Sequence, residues 1–312
     1  MQQNEKHFTQ KNILFMGSPN SGKSTLCGCL VCHDDMRYVE LTANRLFQDV
    51  EEHLRPSKQL QILEAYRHCS HKTNYPERAR KIQIAIHHKS DENKKEILTF
   101  MDVSTRKKKI DCFIKACFLA DIAALVIDVT ENIFEKEIEN FDSTLNNQLR
   151  IAKSVGIPHM IVCLNMCDKA QQLHSRFKEI VSCLDPKLRK LGWKNVPYIP
   201  VSSVDFGLNI LHNSGIFSFY KGESLWNTLK TLEISKDSLK LQDKPLKMAA
   251  VDVFRIGGVG TVIIARIESG ILREADIIEV YPKPNKSGLS NLWKLHSILS
   301  SMPLLEILLG SH

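Results

Sequence analysis

The sequence predicts an α/β protein: a mostly parallel sheet covered by helices on both faces, with a smaller antiparallel β segment behind it. Three observations predict this. Continuous apolar runs rich in β-branched residues recur at "ILFMG", "KIQIAI", "ILTFMDV", "AALVIDV", "HMIVCLNM" and "YIPVS". Segments of helical period, among them 140–154, 172–190 and 224–232, alternate with those runs. Near residue 235 the character changes, and the polar stretch "SKDSLKLQDKP" gives way to "LKMAAVDVFRI", "GTVIIARIES" and "ADIIEVYP".

Each element follows from its pattern. An apolar run without alternation fits a strand buried on both faces, which parallel sheets require. The helical segments between the runs supply the right-handed crossovers that join parallel strands. Ligands in such folds collect at the carboxyl ends of the strands. The stretch ending in Pro245 reads as a linker. Beyond it, short runs separated by Gly-containing turns read as antiparallel β structure. A closed barrel needs more strands than this segment plainly offers. The tail "LWKLHSILSSMPLLEILLGSH" is apolar, and periodicity leaves strand and helix open there.

At 312 residues the chain is long enough for two domains. Its formal charge of +7 permits an acidic partner such as RNA or a merely solvated basic surface. Nine cysteines without a regular framework fit reduced thiols in a cytoplasmic protein. The start, "MQQNEKHFTQK", has no apolar core, so no signal peptide is expected. The run around "AALVIDV" is too short to span a bilayer, so no membrane partner is expected.

The stretch "GSPNSGKST" comprises Gly17, Ser18, Pro19, Asn20, Ser21, Gly22, Lys23, Ser24 and Thr25. It matches G-x-x-x-x-G-K-[ST] between an apolar strand and a helix, the context of a phosphate loop. Glycines let the backbone curl so that successive N–H groups face phosphate oxygens. The following helix adds its positive end. Lys23 is expected to reach the β- and γ-phosphates and the Ser24 hydroxyl to ligate Mg²⁺. Just downstream, Cys29, Cys32 and His33 share one helical side. The reading taken is packing against the sheet, with a metal site as the alternative.

"CLNMCDKA" selects the base. Asn165 and Asp168 fit N-K-x-D, the guanine-reading motif, with Met166 in place of lysine. The Asp168 carboxylate can accept from both the ring N–H and the exocyclic amine of guanine. Adenine lacks that donor pair, and such a polar mismatch is worth about 10⁴-fold or more. Met166 can replace the apolar stem of the lysine but not its ammonium, a loss of about 1 kcal/mol. In "PVSSVDFG", Ser202, Ser203 and Val204 are expected to offer backbone N–H groups to the base carbonyl.

With these motifs in place, the chain resembles the eukaryotic translation elongation factor 1-alpha family. The resemblance is carried by "GSPNSGKSTL", "PERARKIQI", "LVIDV", "KSVGIPHMIVCLNMCDKA", "VPYIPVSS", "FYKGESLWNTLKTLE" and "DKPLKMAAVDVFRIGGVGTVIIARIESGIL". It covers about residues 10 to 282, and "FRIGGVGTV" and "FYKG" fit the elongation factor better than its termination and rescue relatives. It implies a three-layer P-loop NTPase fold, with a GTP-binding domain over 1–234 and a linker over 235–245. A partial antiparallel β-barrel then spans 246–312, and the family's third domain is absent. It also implies GTP or GDP with Mg²⁺, Asp102 assisting the metal through water, and Asn165 and Asp168 reading guanine. Aminoacyl-tRNA, the ribosome and a nucleotide exchange factor are the partners it suggests.

The departures weaken the switch. Gln83 stands at the family's Mg²⁺-ligating threonine and Lys81 at the adjoining glycine. In "DVSTR", Thr105 replaces the glycine whose N–H meets the γ-phosphate. A threonine in such a backbone conformation costs about 1–3 kcal/mol. Arg106 replaces the histidine that orients the attacking water, and a phosphate contact for Arg106 stays open. The expectation is a guanine-nucleotide-binding protein with slow hydrolysis. The alternatives are a non-catalytic nucleotide-binding interaction protein and a decaying copy. Lys107, Lys108 and Lys109 read as a solvated turn or as a contact to RNA phosphates. His87 and His88 read as surface residues at a strand end, beside the turn "KSDENKKE".

Overall fold

The computed structural model describes residues 9–32, 36–71, 84–91, 96–103, 110–130, 133–170, 172–203, 208–212, 215, 217–234, 241, 243–256, 260–273, 276–281, 292–298 and 305–310. The chain divides into two compact units, residues 1–74 with 83–234 and residues 75–82 with 235–312.

In chain order the first unit contains β1 (Thr9–Met16), α1 (Lys23–Cys32), α2 (Met36–Leu46), α3 (Lys58–His71), β2 (Ile84–Asp91) and β3 (Glu96–Val103). It continues with α4 (Ile110–Leu119), β4 (Ile122–Asp128), α5 (Ile133–Glu139), α6 (Thr144–Val155) and β5 (His159–Asn165). α7 (Leu173–Leu191), β6 (Tyr198–Pro200) and α8 (Leu225–Thr231) complete it. Its six-stranded sheet runs β2-β3-β1-β4-β5-β6. Every pairing is parallel except β2 with β3.

Successive strand side chains point to opposite faces, so an unbroken buried run means cover on both faces. Ile13, Leu14, Phe15 and Met16 are wholly buried, as are Ile122 to Val126 of β4. Leu26, Leu30, Tyr66, Leu225 and Leu229 pack one face of the core, together with Cys27 and Cys29. The helices are bounded by local chemistry. Ser143 caps α6 by accepting from the Asn146 N–H, and Gly156 ends it in the left-handed region at φ 94°.

The structure corrects one sequence expectation and adds two helices. β2 runs through His87, His88 and on to Asp91, pairing antiparallel with β3 from Ile84↔Val103 to Asp91↔Glu96. The two histidines therefore sit within a strand, and "KSD" belongs to it. Main-chain pairing with β3 extends the strand through polar residues that a composition reading assigns to the turn. Helices α2 and α3, missing from the periodic segments singled out, fill the stretch between α1 and β2.

The second unit contains β7 (Lys247–Ile256), β8 (Gly260–Ser269), β9 (Ile277–Glu279), β10 (Leu292–Ile298) and β11 (Leu305–Gly310). They form an antiparallel sheet in the order β7-β8-β11-β10-β9. The apolar tail thus resolves into strands. Ile263, Ala265, Leu272 and Ile278 form a small core here. Among the described residues, no helix is long and apolar enough to cross a membrane.

Candidate functional site

The parallel register carries the candidate residues to one edge of the sheet. Phe15 aligns with Asp102, Met16 with Leu125, Asp128 with Asn165, and Leu164 with Pro200. Gly17, Asp102, Asn165 and Ser202 therefore sit at or just beyond the carboxyl ends of β1, β3, β5 and β6. The strand order reverses about β1, where a doubly wound sheet opens its crevice.

The loop from Gly17 to Gly22 turns through residues that tolerate positive φ. Gly17 lies at φ 135°, and a Cβ there would come 2.2 Å from the Val126 carbonyl oxygen. Gly22 lies at φ 88°, where a Cβ would come 2.3 Å from Asn165 Nδ2. Asn20 between them adopts φ 67°. Both glycines are thus required by close approach as well as by conformation. Pro19 and Asn20 are exposed, whereas Ser21 and Lys23 are buried. Lys23, Ser24 and Thr25 form the first turn of α1, whose N–H groups have no partner within the helix.

Lys23 Nζ donates to the Gly17 carbonyl at 3.1 Å and the Ser18 carbonyl at 2.5 Å. Burial pulls its pKa down to about 8, against the opposing pull of Asp102 and Glu137. Glu137 on α5 is pushed the other way, its carboxyl raised by burial and partly restored by Lys23.

The base-side residues are tied to the phosphate loop. Asn165 Nδ2 donates to the Ser21 carbonyl at 2.9 Å, and the Asn165 carbonyl accepts from the Val129 N–H at 3.1 Å. Met166 takes φ 63°, which turns the chain outward toward Asp168. Asp168 Oδ1 accepts a hydrogen bond from Ser202 Oγ. The N–H of Ser202 donates to the Leu208 carbonyl at 3.2 Å, so that N–H, expected to face the base carbonyl, is taken within the loop. The buried Asn165 Oδ1, Ser21 Oγ and Ser203 Oγ find no hydrogen-bond partner in the structure. Buried polar atoms normally have a partner, and a polar ligand or water at this edge would supply one.

These residues fit a nucleotide with Mg²⁺: a glycine cradle that a Cβ would fill, a buried lysine, an adjacent hydroxyl and a buried carboxylate at Asp102. Cys27 and Cys29 are core residues, and no group of three His, Cys, Asp or Glu converges as a metal site among the described residues. Burial pushes the Cys163 and Cys167 thiols up to about 12, so neither is a ready thiolate. His33, Lys81, Gln83, Thr105, Arg106, Lys107, Lys108, Lys109 and Val204 lie outside the described residues.

Three groups escaped sequence reasoning: Gln148 on α6, whose carboxamide meets Gly17; Glu137 near Lys23; and the Ser202 hydroxyl on Asp168. The first partner is 131 residues away along the chain, and one sequence carries no signal that would join the pair.

The profile of the elongation factor Tu GTP binding domain matches residues 9–241. The chain belongs to that family. Membership places it among the translational GTPases and implies a guanine-nucleotide site. Elongation factor 1-alpha of Thermococcus sibiricus is 29% identical over 271 residues, covering 87% of this chain and 58% of the relative. That of Pyrococcus woesei is 28% identical over 307 residues, covering 96% and 65%. The chain thus spans about three fifths of the length of the curated relatives it matches. The similarity supports the translational GTPase family as a whole and does not single out its eukaryotic branch.

Solved structures share the fold. The S. cerevisiae Ski7 GTPase-like domain, bound to GTP, aligns with a TM-score of 0.64 at 18% identity, covering 98% of this chain and 71% of that one. A bacterial selenocysteine-specific elongation factor aligns at 0.58 and 18% identity, covering 98% and 43%.

Proposed function

We propose that this protein binds GTP and GDP through residues 17–25, 165–168 and 202–204 and hydrolyses GTP slowly. The observation that carries the reading is the Asn165–Ser21 hydrogen bond, which makes one site of the phosphate loop and the base-reading segment. Phosphate lies along the loop N–H groups and the first turn of α1. Lys23 leaves its two carbonyls for the anion, and Asp168, steadied by Ser202, accepts from guanine. Ser24 and Asp102 are the residues that would hold Mg²⁺, which would supply charge neutralisation at the phosphates.

The slowness follows from sequence. Gln83, Thr105 and Arg106 stand where the family senses the γ-phosphate and places water. With those contacts weakened, GTP and GDP differ little in what they hold in place, and a switch moves only by that difference. We assign residues 1–234 to a GTP-binding domain, 235–245 to a linker and 246–312 to part of a β-barrel. A cytoplasmic role beside aminoacyl-tRNA, the ribosome and an exchange factor is consistent with this assignment.

The test is a titration of fluorescent GDP and GTP with Mg²⁺, followed by a single turnover of GTP. The reading expects saturable uptake of both nucleotides, no competition by ATP, and slow turnover. Absence of any turnover with comparable affinities would favour a non-catalytic binding protein. Failure to take up guanine nucleotide, or equal competition by ATP, would refute the site itself.

A further inference from the structure

Gly17 is gripped on both polar groups by one side chain. Its N–H donates to Gln148 Oε1 at 2.7 Å, and its carbonyl accepts from Gln148 Nε2 at 3.3 Å. Gln148 is itself buried, with 5% of its surface exposed. The backbone donor fixes which end of the carboxamide faces it. A neutral carboxamide offers an acceptor and a donor side by side without needing a proton from solvent. A carboxylate could accept from the N–H but could not donate to the carbonyl. A Cβ at Gly17 would come 2.2 Å from the Val126 carbonyl oxygen, so the loop packs closely against β4 here.

The same Gly17 carbonyl also accepts from Lys23 Nζ, while Ser18 offers the lysine its second carbonyl. An ammonium that turns toward a phosphate must give up hydrogen bonds to the loop. Without a second donor, the buried Gly17 carbonyl would be left bare. We propose that Gln148 is a positioning residue for phosphate binding: it holds the Gly17 peptide in place and keeps its carbonyl satisfied when Lys23 is drawn to the anion. α6 thereby becomes part of the phosphate site although no phosphate touches it. This inference rests on the proposed reading of the loop as the nucleotide site.

The test compares Gln148→Leu and Gln148→Glu with the parent protein. Release of fluorescent GDP, the ratio of GDP to inosine-diphosphate affinity, and melting without nucleotide are measured for each. Losing a hydrogen bond of this kind costs about tenfold in affinity. Gln148→Leu loses two bonds, and GDP release is expected to speed up by about tenfold to a hundredfold. Gln148→Glu keeps the shape but removes the donor and adds negative charge near Lys23. It is expected to be at least as impaired in GDP release. The nucleotide ratio, which reads the base pocket, is expected to stay constant. Release rates equal to the parent's would overturn the proposal. So would a lowered melting temperature without nucleotide accompanied by unchanged GDP release, since Gln148 would then be a core-packing residue only. If the parent protein itself takes up no GDP, the nucleotide reading and this inference fall together, an outcome distinct from the other two.

Discussion

Strands β4 and β9 show how differently the two units are held. From Ile122 to Ile127 every residue of β4 is buried, one after another. In β9, Ile277 is exposed, Ile278 buried and Glu279 exposed. The first pattern belongs to a sheet between two helical layers. The second belongs to a strand with one covered face. The first unit also ties its layers together with buried polar bonds at the phosphate loop, where Gln148, Asn165 and Lys23 all hold backbone groups. Among the described residues, the second has a core of Ile263, Ala265, Leu272 and Ile278. Burial on both faces gives a rigid edge on which a site can be set. Burial on one face gives a sheet that depends more on its main-chain ladders.

Substitutions that probe this contrast fall in order of expected size. Phe100 is wholly buried, with Phe15 at 6.2 Å and Trp226 at 6.4 Å between ring centroids. Phe100→Ala is expected to cost about 3–5 kcal/mol in denaturant unfolding. Ile278→Ala in the second unit should cost about 2 kcal/mol, because its neighbours can relax toward solvent. A larger loss at Ile278 than at Phe100 would reverse the comparison.

The phosphate loop gives a pH test of its polar interior. Burial leaves Lys23 with a pKa of about 8 against an ordinary 10.5. Across that window the unfolded chain holds a proton that the folded protein has shed, so this group's contribution to stability rises with pH. Phosphate binding runs the opposite way, because it needs the ammonium. GDP affinity is therefore expected to fall by up to about tenfold per pH unit above 8. A flat affinity from pH 7 to 9.5 would show that Lys23 stays charged throughout. The smallest effect is expected at Ile277, which is 63% exposed. Ile277→Ser should change stability by no more than about 0.5 kcal/mol, and a larger loss would mean that this face of the sheet is covered in solution.

Part of the site was legible because its chemistry is local. Gly17 to Thr25 form a continuous string in which spacing alone sets backbone curl, lysine and hydroxyl, and Asn165 and Asp168 lie within one exit loop. The apolar runs gave away the central strands for the same reason, since burial on both faces leaves no polar interruption. The carboxyl end of β2 was not legible, because polar residues there are held by main-chain bonds to β3 that composition does not record.

By itself, then, the sequence determined the layered α/β core and the two nucleotide-type motifs, because each depends on residues near one another along the chain. Tertiary structure alone decided that Asn165 closes on Ser21, that Ser202 steadies Asp168, and that Gln148 grips Gly17. These bonds join segments that meet only when parallel strands align at their carboxyl ends. A glutamine or serine has the same identity in the sequence whether it faces water or a backbone carbonyl.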